Sequence, residues 1–153
     1  MTITLNEHRK NIEPELKTLL LDAALNIKSV WFGDNKPADL QTPSVNFMLM
    51  SAPRNDMQVI QSSSRISRNL EYDVSCMYSG SEGNQTYDNA ATFVDSVYNT
   101  LQKQHAPGQR LNGTCFDIEC DDIIYGFVVL ELKERVFMTG GVIKLVVQVI
   151  ELF

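Results

Sequence analysis

Residues 70–78, LEYDVSCMY, alternate without a break. Leu70, Tyr72, Val74, Cys76 and Tyr78 fall on one side, and Glu71, Asp73 and Ser75 on the other. Such a period of two marks a strand with one face in a core and the other toward water. A strand of this kind needs neighbouring strands and a second layer over its apolar face. The end of the sequence, TGGVIKLVVQVIELF, offers a neighbour. Ile143, Leu145, Val147 and Val149 form one face; Lys144, Val146, Gln148 and Ile150 form a second, mixed face that suggests cover on both sides. Thr139-Gly140-Gly141 reads as the hairpin turn that leads into it.

Two segments with helical spacing supply the second layer. Ile12, Leu16, Leu19, Leu20, Ala23 and Ile27 make one stripe, with Asn11 as the expected cap and Pro14 in the first turn. Leu21 and Leu25 lie off that stripe. Ala90, Phe93, Val94, Val97, Tyr98 and Leu101 form a stripe opposite Asp95, Ser96 and Asn99, which predicts a helix from about Thr86 to Gln104, ended by Pro107 and Gly108. Further strands are expected at SVNFMLM (44–50), at CFDIECD (115–121), and at GFVVLELKERVF (126–137). Residues 30–43, VWFGDNKPADLQTP, read as a loop, with Trp31 and Phe32 capping the core. Residues 51–69 read as a long polar arm with a short strand near Met57–Gln61. The expected architecture over 1–153 is a single α+β domain, a mainly antiparallel β-sheet with two amphipathic helices packed on one face.

With 153 residues, 44% of them apolar and 21% charged, the chain is ordinary for one globular domain. A net charge of −6 argues against sequence-independent nucleic-acid binding by the chain as a whole. The opening MTITLNEHRK lacks the basic-then-apolar order of a signal peptide, and no uncharged apolar run reaches the length of a membrane span. Three cysteines at uneven spacing read as reduced thiols rather than a disulfide framework.

Catalytic signatures are missing. His8 and His105 are the two histidines, and neither stands in a recognisable nucleophile context, so surface or capping roles are expected. Cys115 and Cys120 are five apart on an expected strand and face opposite ways, so no metal and no cofactor is assigned. Asp117, Glu119 and Asp121, spaced by two, share one strand face. With Glu71 and Asp73 they make either a solvated acidic face or the lining of a space that repels anions. Arg54, Met57, Arg65 and Arg68 mark the arm as either a surface loop or a segment that docks on a neighbouring subunit through a wet interface.

The order of elements resembles the bacteriophage tail terminator (tail-completion) proteins over roughly residues 7–152. An N-terminal helix precedes Gly33, Pro43 and SVNFMLM. The arm RNDMQVIQSSSRISR, the strand LEYDVSCMY and the helix opening YDNAATFVDSVYNTL follow, and GVIKLVVQVIEL closes the chain. The resemblance implies a homohexameric ring with no catalytic residues, assembled in the host cytoplasm. It would cap the tail tube in the virion, stop the tube protein from polymerising, and offer a platform to a head-side connector. DNA would only pass through the lumen, faced by Glu71, Asp73, Asp117, Glu119 and Asp121. Another neck or tube-like virion protein is the first alternative. A small cytosolic ligand-binding module lined by Tyr72, Tyr78, Tyr98 or Tyr125 is the second.

Overall fold

The computed structural model describes residues 4–38, 40–54, 65–80, 83–131 and 136–152, with the backbone alone at 80, 83–86, 126–131 and 136–138. Helix α1 spans Leu5–Asp22. It starts earlier than its apolar stripe predicts because Thr4 and Glu7 form a reciprocal capping box, which satisfies two otherwise unpaired N–H groups. Pro14 consequently lies inside the helix and not in its first turn. Ile12, Leu16 and Leu20 are buried as the stripe requires, Leu19 only partly, and Leu21 is exposed. The expected helix overruns its end, since Ala23 is the C-cap and Ile27 lies beyond it.

Strand β1 follows at Ser29–Phe32, where the sequence reads as a loop. It is too short to alternate visibly, and it pairs in parallel with β2, Ser44–Ser51. Phe32 stacks on Phe47 at 5.1 Å, so half of the aromatic pair does close the core. Strand β3 runs Arg65–Gly80, five residues longer at its start than the expected end of the arm would permit. Residues 65–69 are polar apart from Ile66, yet their backbone pairs with residues 148–152, and pairing rather than composition defines a strand. The expected strand near Met57–Gln61 lies outside the described residues.

Helix α2, Gly83–Gln102, runs into a tight turn at Lys103–His105. A four-residue left-handed turn, Arg110–Gly113, then buries Leu111. Strands β4, Asp117–Glu131, and β5, Val136–Leu152, complete one sheet in the order β1-β2-β3-β5-β4. All pairs but β1–β2 are antiparallel. This is the expected α+β class. Phe116, expected inside β4, lies just before it and is exposed.

Gly140 and Gly141 are not a turn. They pair with Met77 and Cys76 within β5. A Cβ on Gly140 would stand 1.7 Å from the Cys76 carbonyl oxygen, and one on Gly141 would stand 2.8 Å from the Ile124 carbonyl and 3.2 Å from Val94. The glycines therefore let strand meet strand, and α2 meet the sheet, closer than any side chain permits.

Buried residues of α1 and α2 and the inner face of the sheet join one core: Val45 and Phe47; Leu70, Tyr72, Val74 and Cys76; Ile118; and Ile143, Leu145, Val147 and Val149. Both helices thus lie on one side. His8 fastens α1 through its Nε2, 2.8 Å from the Ile150 carbonyl oxygen. Among the described residues, no helix is long and apolar enough to cross a membrane.

Candidate assembly surface

Strand register sets the other face of the sheet row by row. Glu71 and Glu119 both stand opposite Val146, Asp73 and Asp122 opposite Lys144, and Asn69 and Asp117 opposite Gln148. One more row carries Ser75, Val142 and Ile124. The sequence-predicted acids Glu71, Asp73, Asp117 and Glu119 therefore do share a face. Asp121 does not take the predicted place. A bulge between Cys120 and Asp122 inserts one residue, so Asp122 and not Asp121 stands opposite Lys144. Period-two counting loses its phase at any such bulge.

The face is acidic but not uniformly free. Lys144 Nζ donates to Asp73 Oδ1 at 2.6 Å. Ser51 Oγ donates to Glu71 Oε2 at 2.8 Å. Asp117 meets His105 at the edge of the sheet, Nδ1 to Oδ1 3.0 Å. Glu119 is exposed. Toward the far end the face is closed: Ser67 and Gln148 are buried and joined by a bond from Gln148 Nε2 to Ser67 Oγ of 2.8 Å. The mixed second face of β5 is thus partly covered within the chain itself.

The expected arm residues separate. Met57 lies outside the described residues. Arg54 bridges to Arg68 through the backbone and is exposed, as is Arg65 at the start of β3. Arg68 points the other way, because even-numbered residues of β3 face inward. Its Nε donates to Glu151, itself 8% exposed, and its Nη1 donates to the Ala52 carbonyl at 3.2 Å. Arg68 is an internal brace, not an arm residue waiting for a neighbour.

The four tyrosines do not line one pocket among the described residues: of them only Tyr78 lines a described cleft, while Tyr98 lies near Tyr125. Tyr72 is buried in the core, and its hydroxyl titrates above the ordinary value because of burial and then the Glu13 carboxylate. Tyr125 donates to Asp95 on α2. Tyr78 lines an open cleft of about 570 Å³ beside Asn26, Asn89, Thr92 and Ser96, and among the described residues no charged side chain lines it. Burial raises all three cysteine thiols, Cys115 and Cys120 to about 12, so none is a nucleophile near neutral pH.

Sequence reasoning missed one grouping: His105 with Asp117 and Glu119, the one set of three metal-capable side chains close together among the described residues. His105 sits in a breaker segment, and nothing in linear spacing brings it to β4. No protein-family model matches this chain, and no curated protein matches it significantly.

Proposed function

We propose that this protein is a structural component of a phage tail: a ring-forming terminator that caps the tail tube and joins it to the head-side connector. The observation that carries this reading is the unequal treatment of the two sheet faces. The inner face is closed by α1 and α2. The outer face bears half-buried Val142 and Val146, exposed Ile124, and carboxylates in register on β3 and β4. Apolar side chains ringed by charge suit a surface that meets other protein. An excess of carboxylate over the single Lys144 in these rows suits a passage through which DNA slides without adhering.

The edge strands β1 and β4 also differ, one being short and the other long. Unlike edges favour head-to-tail contacts, which close into a ring when the rotation permits. In that ring Arg54 and Arg65 face the neighbouring subunit, and the tube protein and the connector take opposite rims. The protein acts by assembly, without a cofactor.

The test is light-scattering mass and electron microscopy of the purified protein, alone and with tail tubes, alongside tail lengths in a strain lacking it. Rings, capped tube ends and over-long tails are expected. A protein that stays monomeric at high concentration and never binds tube ends would refute the proposal. Normal tails with DNA-leaking heads would assign it to the neck instead.

A further inference from the structure

The end of α2 is stitched to the edge of the sheet by side chains. Gln102 Oε1 accepts the Cys120 N–H at 2.9 Å. Two residues back along β4, the Ile118 carbonyl oxygen lies 3.1 Å from His105 Nδ1. These two bonds use alternate residues of β4, 118 and 120. The residues on either side of Ile118, Asp117 and Glu119, carry carboxylates on the opposite face. Asp117 is held as well, because its Oδ1 accepts the Ile118 N–H at 2.8 Å. The imidazole is thus brought over the strand edge toward both acids. One ring nitrogen of His105, one oxygen of Asp117 and one of Glu119 all lie within 4.8 Å of one another.

We propose that His105, Asp117 and Glu119 form a binding site for a divalent transition-metal cation of the Zn²⁺, Co²⁺ or Mn²⁺ class. One imidazole and two carboxylates are a donor set for these borderline ions, whereas Mg²⁺ and Ca²⁺ prefer oxygen alone. Two carboxylates this close repel each other, and a dication removes the repulsion. The cation of the neighbouring row, Lys144, is already engaged with Asp73. Bonds of about 2.0–2.2 Å to one ion require the three donor atoms to draw in to about 3–3.5 Å of each other. On binding, the His105 Nδ1–H gives up the Ile118 carbonyl and the Asp117 carboxylate so that an unprotonated ring nitrogen faces the ion, and rotation of the exposed Glu119 supplies the rest of the movement. Three protein ligands leave the remaining positions to water, so the site is open. The inference is independent of ring formation.

The test uses the full chain stripped of metal by a chelator and titrated with Co²⁺ alone, followed by visible absorption, and with Zn²⁺ alone, followed by calorimetry. One ion per chain is expected. His105→Ala, Asp117→Asn and Glu119→Gln should each weaken binding by at least about tenfold, and Asp121→Asn, on the bulge, should leave it unchanged. Mn²⁺ added to the unmutated protein should broaden the amide resonances of residues 105 and 117–119 first, a reading that needs no variant to fold. Absence of saturable binding, unchanged affinity in the folded His105→Ala protein, a thiolate-to-cobalt charge-transfer band, or broadening centred elsewhere would overturn the proposal.

Discussion

Leu145 and Val146 are adjacent in β5 and live under different conditions. Leu145 is fully buried, in register with Tyr72 on one side and Cys120 on the other. Val146 is half-exposed, in register with Glu71 and Glu119. The inner face is held by exclusion of water and close packing, which respond to a single missing methylene. The outer face is held by pairings that water can replace. A fold built this way can keep its stability on one face and leave the other to assembly.

At the glycine pair in β5 the neighbouring strands and α2 come too close for a side chain to fit, and the largest effect belongs there. Gly140→Ala puts a Cβ into the Cys76 carbonyl, a collision with backbone that no rotamer relieves. A loss of more than about 4 kcal/mol is expected, seen as insoluble protein or a collapsed urea midpoint. A Gly140→Ala protein with unchanged midpoint would mean that the strands do not approach as described.

The direct break of the comparison is the neighbouring pair. Leu145→Ala should cost about 2–5 kcal/mol, whereas Val146→Ala should cost under about 1 kcal/mol. Urea denaturation of the two variants side by side reads the difference. Val146→Asp should spare the monomer and weaken ring formation, measured by light scattering. Equal costs at 145 and 146 would show that the outer face is as closed as the inner.

The arginines sharpen the same division. Arg68→Ala leaves the carboxylate of Glu151 nearly buried without its partner, for an expected loss of about 1–3 kcal/mol. Arg65→Ala, at an exposed position, should stay within about 0.5 kcal/mol and act on assembly alone. Thermal melts together with oligomer mass separate the two roles.

How much of this was legible in the residues follows from the physics of each signal. The inward set of β3, the inward set of β5, the stripe of α2 and the Ile12, Leu16 and Leu20 part of the α1 stripe were readable, because burial imposes a period that survives in sequence. Three features were not. β1 is four residues long, too short for a period to show. The bulge at Asp121 shifts phase by one residue without altering composition. Gly140-Gly141 looks like a turn because glycine serves both tight turns and close backbone approach, and only the partner strand distinguishes them. At the candidate surface, the acids on one face could be anticipated, but Arg68 turned inward because β3 begins earlier than its polar residues suggest. His105 could not be placed at all, since a contact between a helix end and a strand edge leaves no periodic trace.

At neutral pH one further probe of the inner face has no effect at all and emerges only in alkali: the titration of Cys120, which spares the outer face. Burial holds the Cys120 thiol up at about 12, with the Glu119 carboxylate adding to the shift. The folded protein therefore keeps this proton at a pH where the unfolded chain, with an ordinary thiol, has lost it. A group whose folded pKa is raised stabilises fully below its unfolded value, and that contribution drains away as pH rises toward the folded value. The window runs from about pH 8.5 to about 12. At pH 7 the thiol contributes no slope. By pH 10 the loss should be about 1–2 kcal/mol per thiol. Urea midpoints of the parent and of Cys120→Ser, compared at pH 7, 9 and 10, isolate this thiol from lysines and tyrosines that titrate in the same range. The parent should lose ground to the variant above pH 9. Parallel curves would mean that Cys120 reaches water in the folded state and that the inner face is open along β4.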